Sequence, residues 1–368
     1  MTVAVQVPKI SAAEAVDGDF VLVDVRSPHE YAEGHAPGSL SLPLLDDRQR
    51  AVVGRTYKER GAQQARTVAM DLVSAGLPTY LRSLALLTRR GSRLAVMCWR
   101  GGERSRNVVL LLAAAGVHAV QVVGGYKAHR RWVLDGLASW RPDRPVFTLY
   151  GHTGAGKTAV LRALARSHAE APSPRPWVVD LEGMALHRGS LLGGLHQPAE
   201  RTQKDFDALL WEALRHPLGD YLLIEGEGAK IGRLFLPARV AALVHEGTPV
   251  LVTASVEDRA LRIVDEYAPA RWTSTDVARF RRGLKLIGER LPPEESVALR
   301  RAFDDGRFDA VVERLLVAYY DPLYQRSSVE GRGFVFTLHS SAEPADDARR
   351  LSAALAELLR EPHTSCST

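Results

Sequence analysis

Val146-Phe147-Thr148-Leu149-Tyr150-Gly151-His152-Thr153-Gly154-Ala155-Gly156-Lys157-Thr158 is the stretch that decides the fold. A β-rich apolar run leads into Gly-x-x-x-x-Gly-Lys-Thr, and helix-forming residues follow from Lys157 to His168. That glycine-rich signal is specific when a strand precedes it and a helix follows. Gly151, Gly154 and Gly156, with Ala155 between them, let backbone amides wrap phosphate oxygens. Lys157 neutralises the terminal phosphates, and the Thr158 hydroxyl is a candidate Mg²⁺ ligand. The stretch therefore predicts a parallel-sheet α/β domain with its site at the carboxyl ends of the strands.

Working downstream, Trp177-Val178-Val179-Asp180, Tyr221-Leu222-Leu223-Ile224-Glu225 and Val250-Leu251-Val252-Thr253-Ala254 read as further strands of that sheet. Asp180, Glu182 and Glu225 stand at strand ends, where an acid either assists a metal or substrate or simply caps a helix. No residue is assigned outright as a metal ligand. From about Ser255 the chain reads as helical and Arg-rich.

Working upstream, Ser139-Trp140-Arg141-Pro142-Asp143-Arg144-Pro145 has the composition of a linker. It divides the chain into domains 1–140 and 141–368, as a length of 368 residues leads one to expect. The first domain also alternates strands and helices. Phe20 to Val25, Leu94 to Met97 and Ala119 to Val123 are apolar runs of the kind buried on both faces of a sheet, and Ser105 to Ala115 reads as a helix.

The run from Leu94 ends in Cys98-Trp99-Arg100-Gly101-Gly102-Glu103-Arg104-Ser105. A nucleophilic cysteine must be a thiolate. Its usual pKa of ~8.5 falls when cations and a helix N-terminus face the sulfur. Here Arg100 and Arg104 flank a Gly-Gly pair that lets several amides converge, so Cys98, Arg100 and Arg104 are the candidate catalytic residues. A cysteine followed by an arginine at this spacing suits either a sulfur carrier or a phosphatase with a cysteinyl-phosphate intermediate. The other cysteine, Cys366, lies near the end. Two such cysteines make neither a disulfide framework nor a zinc site.

The formal charge of +5 and pI near 9.3 are compatible with a nucleic-acid partner without demanding one. Arg279-Phe280-Arg281-Arg282 with Lys285 and Arg290, and Arg130-Arg131-Trp132, are the candidate basic segments. Trp272 and Tyr319-Tyr320 are candidate stacking aromatics, although core packing is the commoner use of such residues. No apolar stretch reaches the ~20 residues of a membrane span, and the first residues lack a secretory pattern, so a cytoplasmic protein is expected.

Longer motifs bear a resemblance. Asp24-Val25-Arg26-Ser27-Pro28-His29-Glu30-Tyr31-Ala32-Glu33-Gly34-His35-Ala36-Pro37-Gly38-Ser39-Leu40 is similar to the N-terminal hallmark of rhodanese domains, and Gly124-Gly125-Tyr126 to their C-terminal element. That resemblance implies a persulfide-like or other chalcogen role for Cys98, and framework roles for Asp24, Arg26, Glu30 and His35. A rhodanese-like domain followed by a phosphate-loop domain resembles the bacterial tRNA 2-selenouridine synthases. Val53-Gly54 with Tyr57-Lys58, Asp180-Leu181-Glu182-Gly183, His187-Arg188-Gly189-Ser190, Gln197-Pro198 and Ile231-Gly232 carry the likeness further. One departure stands out. The family expectation of Glu-Asp-Glu-Ser after the central strand is met by Glu225-Gly226-Glu227-Gly228.

The resemblance implies a substrate and a reaction. The substrate is tRNA with a 2-thiouridine at the wobble position of its anticodon loop, and sulfur is exchanged for selenium from selenophosphate by way of S-geranylation with geranyl diphosphate. Mg²⁺ is the candidate ion, and an enzyme that supplies selenophosphate is a candidate partner. Cys98 would carry selenium as a selenenylsulfide or receive selenophosphate, while His187 and Arg188 are candidate contacts to a second phosphate or the base. The alternatives are a nucleotide-dependent kinase or phosphatase-like enzyme with a rhodanese-fold domain, and a non-catalytic sulfur-carrier or tRNA-binding protein.

Overall fold

Two parallel sheets of five strands are what the short apolar runs build. The computed structural model of the protein describes residues 6–88, 91–167, 173–187, 201–226, 228–267, 270, 272–324 and 331–360. The chain divides into two compact units, Met1–Leu137 with Thr202–Leu209, and Ala138–Arg201 with Leu210–Thr368.

The N-terminal unit runs β1 (Lys9–Ile10), α1 (Ala12–Asp17), β2 (Phe20–Asp24), α2 (Pro28–Ala32), β3 (Leu40–Ser41), α3 (Asp47–Ser74), α4 (Leu77–Leu86), β4 (Arg93–Met97), α5 (Glu103–Ala114), β5 (Ala119–Val122) and α6 (Gly125–Ser139). Its sheet has the order β1-β5-β4-β2-β3, with every pairing parallel. The central strand β4 is buried on both faces. Leu94 and Val96 pack with Val23, Val108 and Leu112 on one side, and Ala95 and Met97 with Leu22, Val122 and Tyr126 on the other. This is why its run is apolar without alternation. The chain leaves β4 at Cys98.

The second unit continues with β6 (Val146–Tyr150), α7 (Lys157–Ser167), β7 (Pro176–Val179), α8 (Leu181–Ala185) and α9 (Gln203–Arg215), the last of which begins in the segment grouped with the N-terminal unit. Next come β8 (Tyr221–Glu225), β9 (Lys230–Ile231), β10 (Leu234–Phe235), α10 (Ala238–Glu246), β11 (Thr248–Thr253) and α11 (Val256–Tyr267). Helices α12 (Ser274–Gly288), α13 (Pro293–Asp304) and α14 (Phe308–Leu315) follow, then a π-helical turn over Leu316–Tyr320, α15 (Asp321–Tyr324), β12 (Phe336–His339) and α16 (Pro344–Arg360). The sheet order is β12-β11-β6-β8-β7, again wholly parallel. Strand β6 sits at its centre, and the chain moves from β6 to β7 on one side and later to β11 on the other. That is the switch point at which open α/β sheets bind ligands.

The part after Ser255 is mainly helical, as its sequence leads one to expect, and it also contributes β12, which pairs with β11 at the edge of the sheet. Leu338 is fully buried in the sheet's core, and the parallel pairing supplies backbone partners that a helix would not have found there. The first domain also carries a long helical excursion between β3 and β4 that its strand–helix alternation does not announce. Helix α3 is interrupted at Gly61, whose φ of 82° breaks the helical path, and so it is two helices end to end. Helices α11 to α14, with the π-helical turn, form a separate apolar cluster in which Phe280, Leu284, Ile287, Leu299, Val311 and Leu315 are buried. Trp272 packs against Phe280 and Phe308 at centroid distances of 4.8 and 4.9 Å, and Tyr319 is buried in the same cluster. Trp272 serves the core, while Tyr319 belongs to the core and also reaches the cavity beside the phosphate loop.

Candidate functional site

The cysteine loop is built backbone against backbone. Cys98 follows β4, and its Sγ accepts a hydrogen bond from the Gly102 amide at 3.3 Å. The Ser105 hydroxyl lies at the same distance from the sulfur. Buried Gln121, on β5, donates its side-chain amide to Gly101 O, Gly102 O and Ser105 Oγ at 2.7, 3.0 and 2.9 Å. The Ser105 oxygen therefore already accepts, and its own proton is directed to Sγ or to Gly102 O. From below, the first amides of α6 hold the loop: Tyr126 N–H donates to Cys98 O at 2.8 Å and Lys127 N–H to Trp99 O at 2.9 Å. A Cβ on Gly125, whose φ is 55°, would run into that Cys98 carbonyl. The Gly-Gly-aromatic element thus exists to let two backbones touch.

The flanking arginines differ. Arg100 is exposed and makes no hydrogen bond or ion pair among the described residues. Arg104 is held bidentately by Glu30 at 2.6 and 3.0 Å. The expected neutralising role for Arg104 is thereby reduced, because a carboxylate already offsets its charge and the pair ties α2 to α5. Burial alone would push the Glu30 carboxyl up, but Arg104, the Ser27 amide and Arg50 outweigh it and hold the group down at about 2. Asp24 and Arg26 form a buried pair at 2.7 Å. Arg26 also donates to Gly34 O and lies 3.9 Å from the Tyr126 ring centroid. His35 stacks on Tyr31. All four are framework.

The phosphate loop is built differently, with its neighbours bracing it through side chains. Gly151 N–H donates to the Tyr324 hydroxyl at 2.6 Å, and Lys157 Nζ to Gly151 O at 2.6 Å. Arg259 is almost fully buried on α11. It donates to Thr153 O at 2.8 Å and clasps Asp321 with both terminal nitrogens. Arg262, one turn on, reaches Gly154 O and Ser340 Oγ, while the Ser340 hydroxyl donates to Ala155 O at 2.7 Å. Gly154, with φ 78°, approaches α11 so closely that a Cβ would sit 2.9 Å from Arg259 O. Burial holds the His152 imidazole pKa down. Asp321 opposes that, while Arg259 and Lys157 add to it, so the ring favours its neutral form.

Of the candidate acids, the structure brings two to Thr158. Its hydroxyl is 2.7 Å from Glu225 and 2.9 Å from Glu182, and the Glu182 amide donates to Glu225 at 3.2 Å. Glu225 is fully buried. Two carboxylates and a hydroxyl beside a phosphate loop form the oxygen set that Mg²⁺ prefers. Asp180 is engaged elsewhere, capping α8 through the Gly183 amide and pairing with Arg162 at 2.8 Å. His187 packs against Gly232, where a Cβ would meet its ring at 2.6 Å. Arg188, Glu227, Gln197, Pro198 and Cys366 lie outside the described residues. The Gly226 departure has a steric reason: a Cβ there would meet the Tyr150 ring at 2.6 Å. A cavity of about 770 Å³ adjoins the loop, lined also by Glu182, Arg262, Tyr319, Tyr320 and Tyr324.

Arg259, Arg262, Tyr324 and Ser340 were not singled out from the sequence. The spacing of the two arginines on α11 and the β-rich run before Ser340 were the available signals. Of the basic segments, Arg130 is spent on Asp207 at 2.6 Å and Arg281 on Asp304 at 2.8 Å. Arg279, Arg282 and Lys285 remain exposed, without protein partners among the described residues. Among the described residues no helix is long and apolar enough to cross a membrane.

The family described as the tRNA 2-selenouridine synthase AAA domain matches residues 144–346, and the rhodanese-like domain family matches residues 9–131. A tRNA 2-selenouridine synthase of Cupriavidus necator is 35% identical over 343 residues, covering 84% of this chain and 89% of the relative. One of Marinobacter nauticus is 31% identical over 345 residues, covering 86% and 90%. One of Nitrosomonas eutropha is 31% identical over 257 residues, covering 68% of this chain and 64% of the relative.

Proposed function

The chain belongs to the tRNA 2-selenouridine synthases, and on that premise we propose that it is a transferase replacing sulfur by selenium at a wobble 2-thiouridine of cytoplasmic tRNA. The observation that carries the reading is the presence of two separate anion cradles, one around a sulfur and one around a phosphate position. A thiocarbonyl sulfur leaves poorly, and alkylation turns it into a thiolate that departs readily. In the first half-reaction the tRNA sulfur attacks the prenyl carbon of geranyl diphosphate. A C–S bond forms, the C–O bond breaks, and diphosphate leaves with the electron pair.

Lys157 and the amides of Gly154, Gly156 and Thr158 receive that developing charge. Thr158, Glu182 and Glu225 would hold Mg²⁺, which supplies further neutralisation when bound. In the second half-reaction the selenium of selenophosphate, a selenide-level nucleophile, attacks C2: a C–Se bond forms, the C–S bond breaks, geranylthiolate leaves with the electron pair, and water then cleaves the Se–P bond to release phosphate. The cradle around Cys98 is where selenophosphate is received, and Arg100, exposed and without a partner among the described residues, meets the incoming anion. The exposed residues Arg279, Arg282 and Lys285 suit tRNA phosphates.

The Thr158–Glu182–Glu225 set also favours a second reading, Mg-nucleotide chemistry at the same loop. Nucleoside mass spectrometry of 2-thiouridine tRNA, with each co-substrate omitted in turn, separates the two. Geranylated nucleoside that converts to 2-selenouridine supports the proposal. Nucleotide hydrolysis without tRNA change supports the alternative.

A further inference from the structure

The largest cavity described lies in the N-terminal unit, and it touches the cysteine loop only through Glu103 and Arg104. Its volume is about 1110 Å³, at the upper end of the size class that holds organic ligands. Its walls are the two halves of α3 and the outer face of α5. The floor is apolar, with Ala65, Ala69 and Val73 facing Leu110 and Leu111. Met70 and Tyr57 also line it and are 69% and 61% exposed, so apolar surface stands open to water where nothing in the fold requires it.

Two further observations indicate what enters. The rim is cationic, and Arg55 and Lys58 are exposed without a hydrogen bond or ion pair among the described residues. The cavity also shares the first turn of α5 with the cysteine loop. Glu103 and Arg104 line it, and the preceding Gly102 amide holds Cys98 Sγ. An occupant that satisfies both has an apolar chain for the floor and a phosphodiester backbone for the rim, and reaches the sulfur with the atom between them.

We propose that this cavity is a subsite for the isoprenoid chain of the S-geranylated uridine while it is still part of the RNA, and that it orients C2 toward the cysteine loop for the exchange of sulfur. The inference rests on the two-step reading above and adds to it. The intermediate is recognised by its chain in the N-terminal unit, and the geranylthiolate leaving group has an apolar place to go. The same chemistry on a different carrier, free geranyl diphosphate, is the alternative source.

The test is fluorescence anisotropy of the full chain with labelled anticodon stem–loop RNA carrying either S-geranyl-2-thiouridine or 2-thiouridine. The geranylated RNA is expected to bind at least about tenfold tighter, a difference of about 1.4 kcal/mol. Ala69→Trp fills the floor from α3 and is expected to abolish that preference while leaving affinity for the 2-thiouridine RNA and thermal unfolding unchanged. Asn107→Trp, at an exposed position on α5, repeats the test from the opposite wall should Ala69→Trp fail to fold. Equal affinity of the wild type for both RNAs overturns the proposal, as does a preference that survives in either folded variant. Displacement of the geranylated RNA by equimolar geranyl diphosphate assigns the cavity to the free donor and overturns it too. Loss of self-association in the variants would assign it to a second copy of the chain, with the same consequence. Because binding is read without turnover, these outcomes are distinct from failure of the two-step reading, which would appear as unaltered nucleosides in mass spectrometry.

Discussion

The cysteine loop and the phosphate loop follow one plan: a buried central strand, a glycine-rich turn, and a helix whose first amides face the site. They differ in where the reactive side chain stands. Cys98 is the last residue before the turn, so its sulfur lies under the amides and is 3% exposed. Lys157 and Thr158 come after the turn, so the amides themselves face the ligand. The bracing differs accordingly. The first loop is held by the first backbone amides of α6, with the Gln121 side chain of β5 reaching in to its carbonyls. The second is held by side chains, Arg259, Arg262, Ser340 and Tyr324. One loop fixes a sulfur that belongs to the protein, and the other leaves space for a phosphate that does not.

Gly125→Ala is expected to have the largest effect, because backbone-on-backbone contact has no slack. The new methyl collides with Cys98 O at a φ that alanine resists, and a loss of about 4 kcal/mol from the N-terminal unit is expected. Calorimetry should show one transition lowered while diphosphate binding at the phosphate loop persists. Lys157→Ala should do the converse. A drop of about 10²- to 10³-fold in the rate of geranylation is expected with thermal stability unchanged, as when a single donor to a developing anion is removed.

Glu30 gives a pH handle on the first loop. Its pKa is lowered from the usual 4.5 to about 2, so its contribution is fully present above about 4.5 and is lost as pH falls toward 2. At ~1.4 kcal/mol per unit the ceiling is about 3 kcal/mol, solvent screening of this part-exposed cluster brings it to about 1–2 kcal/mol, and Glu30→Gln should flatten the acid limb of a stability–pH curve. Arg100→Ala is the mildest change. Stability should stay within about 0.5 kcal/mol, while selenium incorporation slows and geranylation does not.

The legibility of the two loops follows the same division. Strands β2, β4, β6 and β8 were readable because burial on both faces leaves an unbroken apolar run. The two loops were readable because chemistry demands particular residues in order. Helix α3 was not, since its apolar residues face a cavity rather than a core and its pattern is weak. Strand β12 was obscured by the helical sequence around it, and with it went Ser340. Arg259 and Arg262 looked like ordinary charges on an amphipathic helix, because nothing local says that their partners are carbonyls more than a hundred residues earlier. Glu182 and Glu225 were named as candidates, but their meeting at Thr158 depends on the order of β7, β8 and β6 in the sheet.

The division of labour between the loops is tested most directly by nucleoside mass spectrometry on 2-thiouridine tRNA and on pre-geranylated tRNA, comparing Cys98→Ala with Lys157→Ala. Cys98→Ala should accumulate geranylated nucleoside and form no 2-selenouridine. Lys157→Ala should fail to geranylate yet still convert the pre-geranylated tRNA. Loss of geranylation in Cys98→Ala, or of selenation of pre-geranylated tRNA in Lys157→Ala, would contradict it.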